Sequence, residues 1–510
     1  MDFASYFSSL GTGFLVVFSW PTFPLMMLGV VIGFIIGILP GISAPTTLAL
    51  MLPFTFHMKP VEAFAFLLGM LSVSIMFGDI TSILFGVPGE PLAAAVVLDG
   101  HPMAKAGQTG RALGAALMSS LVGAVVGAMI LAASIPVIRP IVLAFGSPEF
   151  LGLAIMGIMF VAVLSRGNMT KGLLMGAFGL MLSMVGLDPQ SGTQRYTFGR
   201  LDLWDGIGLV PVTVGLFGVG ELVDLWVKQK SISEMRVGKV GGAWQGVLDT
   251  FRQFWLTVRC SLLGTIIGVI PGLGGGSQWM AYAYAVRSSK DQTRFGKGDV
   301  RGVLGPGAAM NAKEGGNLVT TVAFGVPSSV TMAILLGAFL IQGVVPGPKM
   351  LNENLNLTMS FVWVLIMSHV ISVALSFLLL NQMVRITEIR SALILPAIIF
   401  LVLFGGFSDK NSFFDMFVTL VAGLIGMVMV WLDWPRPPLV LGLVLGKLAE
   451  NNLFISYARY DVTFVTRPLL IVIILVSLVL VFAPMIREWL QRRRGAARAT
   501  ERDLRVSEAS

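Results

Sequence analysis

Long apolar runs separated by short polar segments fill most of this 510-residue chain. In the first half they fall at about 14–39, 43–56, 61–98, 111–138, 140–165, 171–187 and 206–227, and in the second half at about 246–270, 273–286, 303–345, 357–384, 391–408, 412–432, 437–450 and 466–486. Runs of roughly 17–25 residues can cross a bilayer as helices, whereas shorter runs indicate re-entrant or broken helices. The pattern predicts an all-α polytopic membrane protein with about 11–12 membrane helices.

Two of the short runs, 43–56 and 273–286, follow Pro-Gly motifs that resemble each other. The first motif reads GILPGISAP at 37–45, and the second reads GVIPGLGGG at 268–276. Pro and Gly break helices, and at membrane depth the freed backbone groups are tolerated only where they line a cavity or are buried in protein. We therefore predict that each motif is the tip of a re-entrant hairpin. Matched interruptions in two halves of a membrane protein indicate the binding site of a transporter.

Further motifs recur in the same order in the two halves. FGVP at 85–88 returns at 324–327, and LDP at 187–189 is echoed by LDWP at 432–435. These recurrences predict a duplicated unit. The predicted regions are a first membrane repeat at 1–227, a cytoplasmic connector at 228–259, a second membrane repeat at 260–465, an extra transmembrane helix at 466–486 and a basic, partly disordered cytoplasmic tail at 487–510.

The placement of Lys and Arg predicts how the two repeats are oriented. These residues mark the cytoplasmic ends of membrane segments, and they cluster in the connector and in the tail. Arg259 and Arg287 flank the second hairpin, whereas Lys59 is the one basic residue near the first. The second hairpin is therefore expected to open to the cytoplasm and the first to the opposite side. Two inverted repeats of broken helices and re-entrant hairpins suit a transporter with an elevator-like or rocking movement.

Composition narrows the class of protein further. Hydrophobic residues make up 55% of the chain and charged residues 12%, which excludes an ordinary soluble domain. The one cysteine, Cys260, excludes an internal disulfide and most cysteine-based metal sites. His57, His101 and His369 are scattered, so we interpret them as packing residues. The net charge of +8 marks cytoplasmic loops here rather than a nucleic-acid partner.

The hairpin tips are the first candidate site. A helix that starts after a Pro-Gly break exposes unpaired N–H groups and the positive end of its dipole, which bind carboxylates. Unwound carbonyl groups at the tips could also hold Na⁺, and no transition metal is expected. The candidate substrate-binding residues are Gly41, Ser43, Thr46 and Thr47 in the first hairpin and Gly272, Gly274, Gly275 and Ser277, which Gln278 follows, in the second. Alternatively, these glycines only permit packing and the hydroxyls only cap helices.

Polar residues near the second pair of breaks form another candidate group. Polar side chains at membrane depth are costly and are therefore functional candidates. Further candidates for substrate binding are Pro88, Gly89, Asn311, Asn317, Ser328 and Ser329. Asp79, which has apolar sequence on both sides, and Glu314 are candidates for coupling to a cation. Lys313 and Glu314 could instead neutralise each other.

At these motifs the chain resembles the large membrane subunit of the tripartite tricarboxylate transporter family, the TctA type. The likeness runs over nearly the whole chain to about 485, and its matching stretches are 37–56, 82–113, 268–284 and 311–348. LDGHPMAK at 98–105 is similar to the family's LDGYPMAK. The resemblance implies a secondary transporter of the bacterial inner membrane rather than an enzyme, driven by Na⁺ or H⁺ and without another cofactor. Its expected partners are a small four-helix membrane subunit (TctB type), a periplasmic solute-binding protein (TctC type), an organic carboxylate and membrane lipid.

Three departures from the family's common pattern leave the substrate and the coupling ion open. Ile42-Ser43 stands where Leu-Gly is usual, Ser328 where Gly is usual, and Asp79 where a second Gly is frequent. Two other classes of function compete with a transporter. A channel would need a continuous polar stripe along a pore, and a membrane-embedded enzyme would need a His, Cys or acidic cluster in one site.

Overall fold

The structure is a computed structural model that describes residues 3–38, 43–86, 94–164, 169–188, 190–219, 241–270, 276–380 and 395–479, with the single residues 382 and 482. Most of the described residues lie in helices. A two-stranded antiparallel hairpin, β1 (Gly186–Leu187) with β2 (Gln194–Arg195), is the one sheet within these ranges. The prediction of an all-α polytopic membrane protein is confirmed.

The first half contains nine α-helices among the described residues. They are α1 (Phe3–Val17), α2 (Thr22–Gly37), α3 (Ala44–Met51), α4 (Pro60–Phe85), α5 (Val97–Lys105), α6 (Thr109–Leu143), α7 (Ser147–Leu164), α8 (Met169–Ser183) and α9 (Leu209–Thr213). A 3₁₀ turn, Leu52–Thr55, extends α3, and a π-helical segment, Val214–Val219, extends α9. Helix α3 with its 3₁₀ extension follows the first Pro-Gly motif. It is too short to cross a bilayer, as a re-entrant segment would be.

The second half begins with an amphipathic helix and then follows a similar order. Its described helices are α10 (Ala243–Arg252), α11 (Phe254–Val269), α12 (Ser277–Ser288), α13 (Arg301–Phe324), α14 (Val330–Ile341), α15 (Leu355–Leu378), α16 (Leu395–Ser408), α17 (Phe413–Trp431), α18 (Pro437–Tyr460) and α19 (Pro468–Val479). A 3₁₀ helix, Asp461–Thr466, leads from α18 towards α19. The domain boundaries and the inversion of the repeats stay predictions.

Five of the described helices are long and apolar enough to cross a membrane: α4, α6, α15, α17 and α18 with its 3₁₀ extension. A sixth span results if the bent pair α1 and α2 is counted as one. Several shorter apolar helices, including α7, α8, α11 and α16, accompany them. Because such short helices can pair into broken spans, the predicted total of eleven or twelve stays a prediction.

Three apolar runs differ from the helices that they form. The run at 14–39 is interrupted by a turn at 18–21, so that α1 and α2 meet at an angle of 70°. Pro21 lies in this turn, where it precedes the start of α2. The runs at 111–138 and 140–165 divide later than the pattern indicates, because α6 continues through Pro136 and Pro140 to Leu143. A run of hydrophobic residues thus fails to mark a bend that has no charged residue in it.

The core is built around α4 and α13, which are buried on nearly every side. Helix α4 is apolar around its whole circumference, as expected for a helix enclosed by others. Glycines in α2 bring it against α4, since a Cβ at Gly37 would lie only 2.9 Å from the Cβ of Phe77. Small residues at helix crossings permit this close approach inside membranes. The enclosed helices α4 and α13 carry the candidate site.

Candidate functional site

Helix α13 lies between α6 and α11 and carries several polar side chains into the core. A Cβ on Gly127 of α6 would collide with the carbonyl oxygen of Ala312, and a Cβ on Gly268 of α11 would collide with that of Lys313. The three backbones therefore touch, and no water layer separates them. The polar residues enclosed in this way are Asn311, Lys313, Glu314 and Asn317.

Asp79 lies in the second half of α4 and is completely buried. Its Oδ1 accepts a hydrogen bond of 2.6 Å from Nε2 of Gln278, the second residue of α12. On α13, a Cβ at Gly307 would lie 3.5 Å from Asp79 Oδ2 and 2.8 Å from the Oγ of Ser119 on α6. Four helices from both halves of the chain therefore meet around one carboxylate. We call Asp79, Ser119 and Gln278, together with Ser277, which precedes Gln278 in the chain, the carboxylate cluster.

The first turn of α12 contributes two polar atoms to this cluster without local partners. Among the described residues, Ser277 Oγ and Gln278 Oε1 are buried and have no hydrogen-bond partner. Buried polar atoms are nearly always paired, so such atoms commonly mark the place of a water, an ion or a ligand. The same turn presents backbone N–H groups and the positive end of the helix dipole. Gly272, Gly274 and Gly275, which precede it, lie outside the described residues.

The corresponding turn of the first hairpin satisfies its hydroxyl groups locally. Ser43 Oγ lies 3.0 Å from Thr46 Oγ1, and the Thr47 hydroxyl donates to the Ser43 carbonyl at 3.1 Å. Thr46 and Thr47 are buried, and α3 packs against α4, α14 and the π-helical segment. Gly41 lies outside the described residues. The described bonds of these three side chains are those of a helix start and involve no residue of the carboxylate cluster.

The two FGVP motifs end α4 and α13 with matching backbone geometry. Gly86 and Gly325 adopt left-handed conformations with φ of 68° and 66°, which favour glycine. Their N–H groups donate to Ser82 and Thr321 carbonyls, each at 3.1 Å. The Ser82 and Thr321 hydroxyls in turn donate to carbonyl groups one turn earlier, those of Gly78 and Asn317, each at 2.8 Å. Pro88 and Gly89 lie outside the described residues.

A second buried group, which we call the amide chain, joins Ser328, Asn317, Glu314 and Lys313. The Ser328 hydroxyl donates to Asn317 Oδ1 at 2.8 Å, and Asn317 Nδ2 donates to Glu314 Oε2 at 3.2 Å. Lys313 Nζ lies 3.8 Å from Glu314 Oε1, with both side chains almost fully buried. The alternative in which Lys313 and Glu314 neutralise each other thus agrees with their geometry.

Two remaining candidates from the sequence have other partners. Ser329 caps α14, because its Oγ accepts a hydrogen bond from the Met332 N–H at 3.3 Å. Asn311 donates from Nδ2 to the Gly307 carbonyl at 3.0 Å, and its Oδ1 lies 3.1 Å from Nε2 of His369 on α15. Asn311 therefore connects α15 with the turn of α13 that faces Asp79. Ser329 has the ordinary role of a capping residue.

Asp99 in the LDGHPMAK segment is a structural carboxylate that was not among the candidate site residues. It is fully buried, and its Oδ1 accepts hydrogen bonds from the N–H groups of Gly298 and Asp299 at 2.9 and 2.8 Å. Its Oδ2 accepts a bond of 2.9 Å from the Tyr282 hydroxyl on α12. Asp99 thereby fixes α12 and the start of α13 against the first half. The position of Asp99 within the LDGHPMAK motif was the feature of the sequence that could have indicated its role.

Among the described residues, no three or more His, Cys, Asp or Glu side chains come together in a way that could hold a metal ion. Of the candidates from the sequence, the structure places Asp79 and Ser277 in one cluster, to which it adds Gln278 and Ser119. It places Asn317, Glu314 and Ser328 in another. Ser43, Thr46, Thr47 and Ser329 make their described bonds elsewhere, and six glycine and proline candidates at the breaks lie outside the described residues.

Comparisons with known proteins agree with the earlier resemblance. A family model described as "Tripartite tricarboxylate transporter TctA family" matches residues 23–441. The chain is 32% identical over 487 residues to an "uncharacterized 52.8 kDa protein in TAR-I ttuC' 3'region" of Agrobacterium vitis, covering 94% of this chain and 97% of that protein. It is also 32% identical over 231 residues to an "uncharacterized protein in TAR-II ttuC' 3'region" of the same organism, covering 44% of this chain and 96% of that protein. No solved structure matches.

Proposed function

Because the chain belongs to the tripartite tricarboxylate transporter TctA family, we propose that it is the large permease subunit of a binding-protein-dependent importer of organic carboxylates. In this proposal it works in the bacterial inner membrane with a small four-helix subunit and a periplasmic solute-binding protein. The observation that carries the proposal is the first turn of α12, where two buried polar atoms have no described partner and the Gln278 amide bonds to Asp79.

The helix start and the carboxylate would have complementary tasks. Backbone N–H groups and the Ser277 hydroxyl at the start of α12 would bind a carboxylate group of the substrate. Asp79, which Gln278 orients, would bind the coupling cation. Glu314 is the weaker candidate for this second task, because Lys313 already lies 3.8 Å from it. The described partner of Asp79, the side-chain amide of Gln278, carries no charge.

This arrangement explains why a carboxylate and a cation would travel together. Two unit negative charges about 5 Å apart repel by about 3 kcal/mol at an effective dielectric constant of roughly 20. A substrate carboxylate at the start of α12 would face this repulsion from Asp79. A Na⁺ ion or a proton at Asp79 would remove it, so the anion would bind strongly only after the cation. Binding in this order is the thermodynamic basis of symport.

Reconstitution tests the proposal against both alternatives. The purified chain would be placed in proteoliposomes alone, or with the four-helix subunit and the solute-binding protein, and supplied with radiolabelled citrate, succinate or benzoate at micromolar concentration. We expect accumulation of at least one acid above its outside concentration, in the complete system only, driven by an inward Na⁺ or H⁺ gradient. Equilibration without a gradient would indicate a channel, chemical conversion would indicate an enzyme, and robust uptake by the chain alone would contradict dependence on a binding protein.

A further inference from the structure

His369 is a buried histidine whose two ring nitrogens both face oxygen acceptors. It lies on α15 with no exposed surface. Nδ1 is 2.8 Å from the carbonyl oxygen of Leu365, and Nε2 is 3.1 Å from Oδ1 of Asn311 on α13. A backbone carbonyl can only accept, so Nδ1 must carry a proton to make the first bond. The second bond then requires a proton on Nε2 as well.

Turning the Asn311 amide around does not remove this requirement. In the present orientation its Nδ2 donates to the Gly307 carbonyl at 3.0 Å. The reversed amide would offer Nδ2 to a neutral ring, but it would place Oδ1 against the Gly307 oxygen, where two acceptors repel. With an imidazolium ring, the contacts of His369 with Leu365 and Asn311 and the contact of Asn311 with Gly307 are all hydrogen bonds. With a neutral ring, one of these contacts brings two hydrogen-bond acceptors together. Burial favours the neutral ring, so the two demands oppose each other.

The charged and titratable groups on the neighbouring helices define the surroundings of the ring. Helices α1, α2, α4, α6 and α13 pack against α15. Their titratable or charged side chains are Tyr6 on α1, Glu62 and Asp79 on α4, Arg111 and Arg139 on α6, and Arg301, Lys313 and Glu314 on α13, with none on α2. Asp79 faces the turn of α13 at Gly307, whose carbonyl holds the Asn311 amide. A carboxylate there favours a positive charge on this side of α13.

We propose that His369 is a proton-binding site of this membrane domain and that its proton contributes to coupling. This use of the site rests on the proposed function. Uptake forms one N–H bond on the ring from a proton supplied by water on one side of the membrane. Release in another conformation breaks that bond and returns the proton to water on the other side, which regenerates neutral imidazole. The Asn311 amide, which must turn when the ring loses its second proton, links this change to the turn beside Asp79.

Nitrogen NMR tests the site without any knowledge of the substrate. The full chain would be labelled with [¹⁵N]histidine, placed in lipid bilayers and measured by solid-state NMR from pH 5.5 to 8.5. The chain has three histidines, so His57→Gln and His101→Gln assign the remaining signal without a change at position 369. We expect the His369 signal to change from two protonated nitrogens to one within this range. A ring that stays in one protonation state throughout would overturn the proposal.

Uptake by the reconstituted complex tests the contribution to coupling. We expect His369→Gln to flatten the dependence of uptake on external pH, whereas the control His101→Gln retains the wild-type profile. His101 is a suitable control because it is half-buried and its Nδ1 also faces a carbonyl oxygen, that of Ile83 at 3.2 Å. An unchanged profile in folded His369→Gln complexes would overturn the coupling role. Failure of the wild-type complex to take up any acid would contradict the proposed function, while the NMR result would still decide the proton site.

Discussion

Asp409 is a partly buried carboxylate in the segment between α16 and α17, outside the spans. Burial raises its pKa from 3.8 to about 6, and the Asp415 carboxylate acts in the same direction, while Lys410 and Lys447 oppose the change. The folded protein therefore binds this proton more tightly than the unfolded chain does. As the pH rises from about 4 to about 6 the folded state loses stability relative to the unfolded state, and the loss is complete above pH 6.

We expect Asp409→Asn to raise the melting temperature at pH 7.5 and to change it little at pH 4. The amide avoids the cost of the buried charge, which is at most about 3 kcal/mol for a shift of this size. Thermal unfolding of the purified protein in detergent at both pH values measures the effect. Glu353→Gln, at an exposed carboxylate, is the control and should shift the melting temperature little at either pH. A lower melting temperature for Asp409→Asn at pH 7.5 would show that the charge is needed for structure.

Gln278→Leu should strengthen binding of a coupling proton at Asp79 by about 10- to 100-fold, because the lost hydrogen bond favours the charged carboxylate and contributes about 1.5–3 kcal/mol. The apparent affinity for the cation in uptake assays measures this effect. Gln342→Leu is a matched control, since Gln342 Nε2 also donates a bond of 2.6 Å, to the Thr55 carbonyl outside the carboxylate cluster. Equal changes of the apparent affinity in both folded variants would mean that Gln278 has only a structural role.

The sequence alone could identify Asp79 but not its surroundings. An acid with apolar residues on both sides must be buried in a membrane helix, so Asp79 was an evident candidate. Its partner Gln278 lies 199 positions away, at the start of a helix in the other half. No local pattern indicates that contact, because it depends on how α12 packs against α4. Likewise, no local pattern indicates the contact between His369 and Asn311, which lie 58 positions apart.

At the scale of helices, glycine spacing decides which elements touch. Gly264 and Gly268 lie four residues apart, on one face of α11, and a Cβ at either would collide with the backbone of α13. The apolar runs predicted most helices, because length and hydropathy are local properties of a segment. They could not predict the turn between α1 and α2, since that turn contains apolar and small polar residues rather than a charged break.

Gly268→Ala should destabilise the protein by about 1–3 kcal/mol, the usual cost of an added methyl group in a packed interior. The methyl group would push α11 away from the Lys313 carbonyl on α13. Thermal unfolding in detergent would report the loss. Gly11→Ala on α1 is the control, because a Cβ there meets no atom within 4 Å and alanine favours a helix. Similar melting temperatures for the two variants would contradict a tight crossing of α11 and α13.

The hairpin tips give a separate prediction for the segments outside the described residues. If Gly41 and Gly272 allow backbone N–H groups to approach a bound anion, a larger side chain should block transport. We expect Gly41→Val and Gly272→Val each to abolish uptake at equal amounts of folded complex, since a Cβ at a helix break also costs about 1 kcal/mol or more. Partner binding and gel filtration would check folding. Normal uptake by both variants would assign these glycines to packing.

At the scale of the whole molecule, the distribution of charge predicts its orientation in the membrane. A cysteine that replaces Lys239 in the connector or Ser510 at the end of the tail should react with a membrane-impermeant reagent only from the cytoplasm. A cysteine at Asp2 should react only from the periplasm. The native Cys260 is buried and should give little background. Labelling of Lys239→Cys from the periplasm would contradict the predicted inversion of the two repeats.

The ends of α4 and α13 have the same backbone conformation but carry different side chains. Both helices stop at a left-handed glycine, yet at the position where α4 carries the Asp79 carboxylate α13 carries Leu318. Two identical halves, exchanged by an alternating movement, would make the inward-facing and outward-facing states equal in free energy. If the two repeats are inverted as the sequence predicts, the Asp79 carboxylate in one half would break that equality even without substrate. The empty carrier would then favour one of its two orientations in the membrane. The reorientation of the empty carrier, rather than that of the loaded one, would limit the rate of transport.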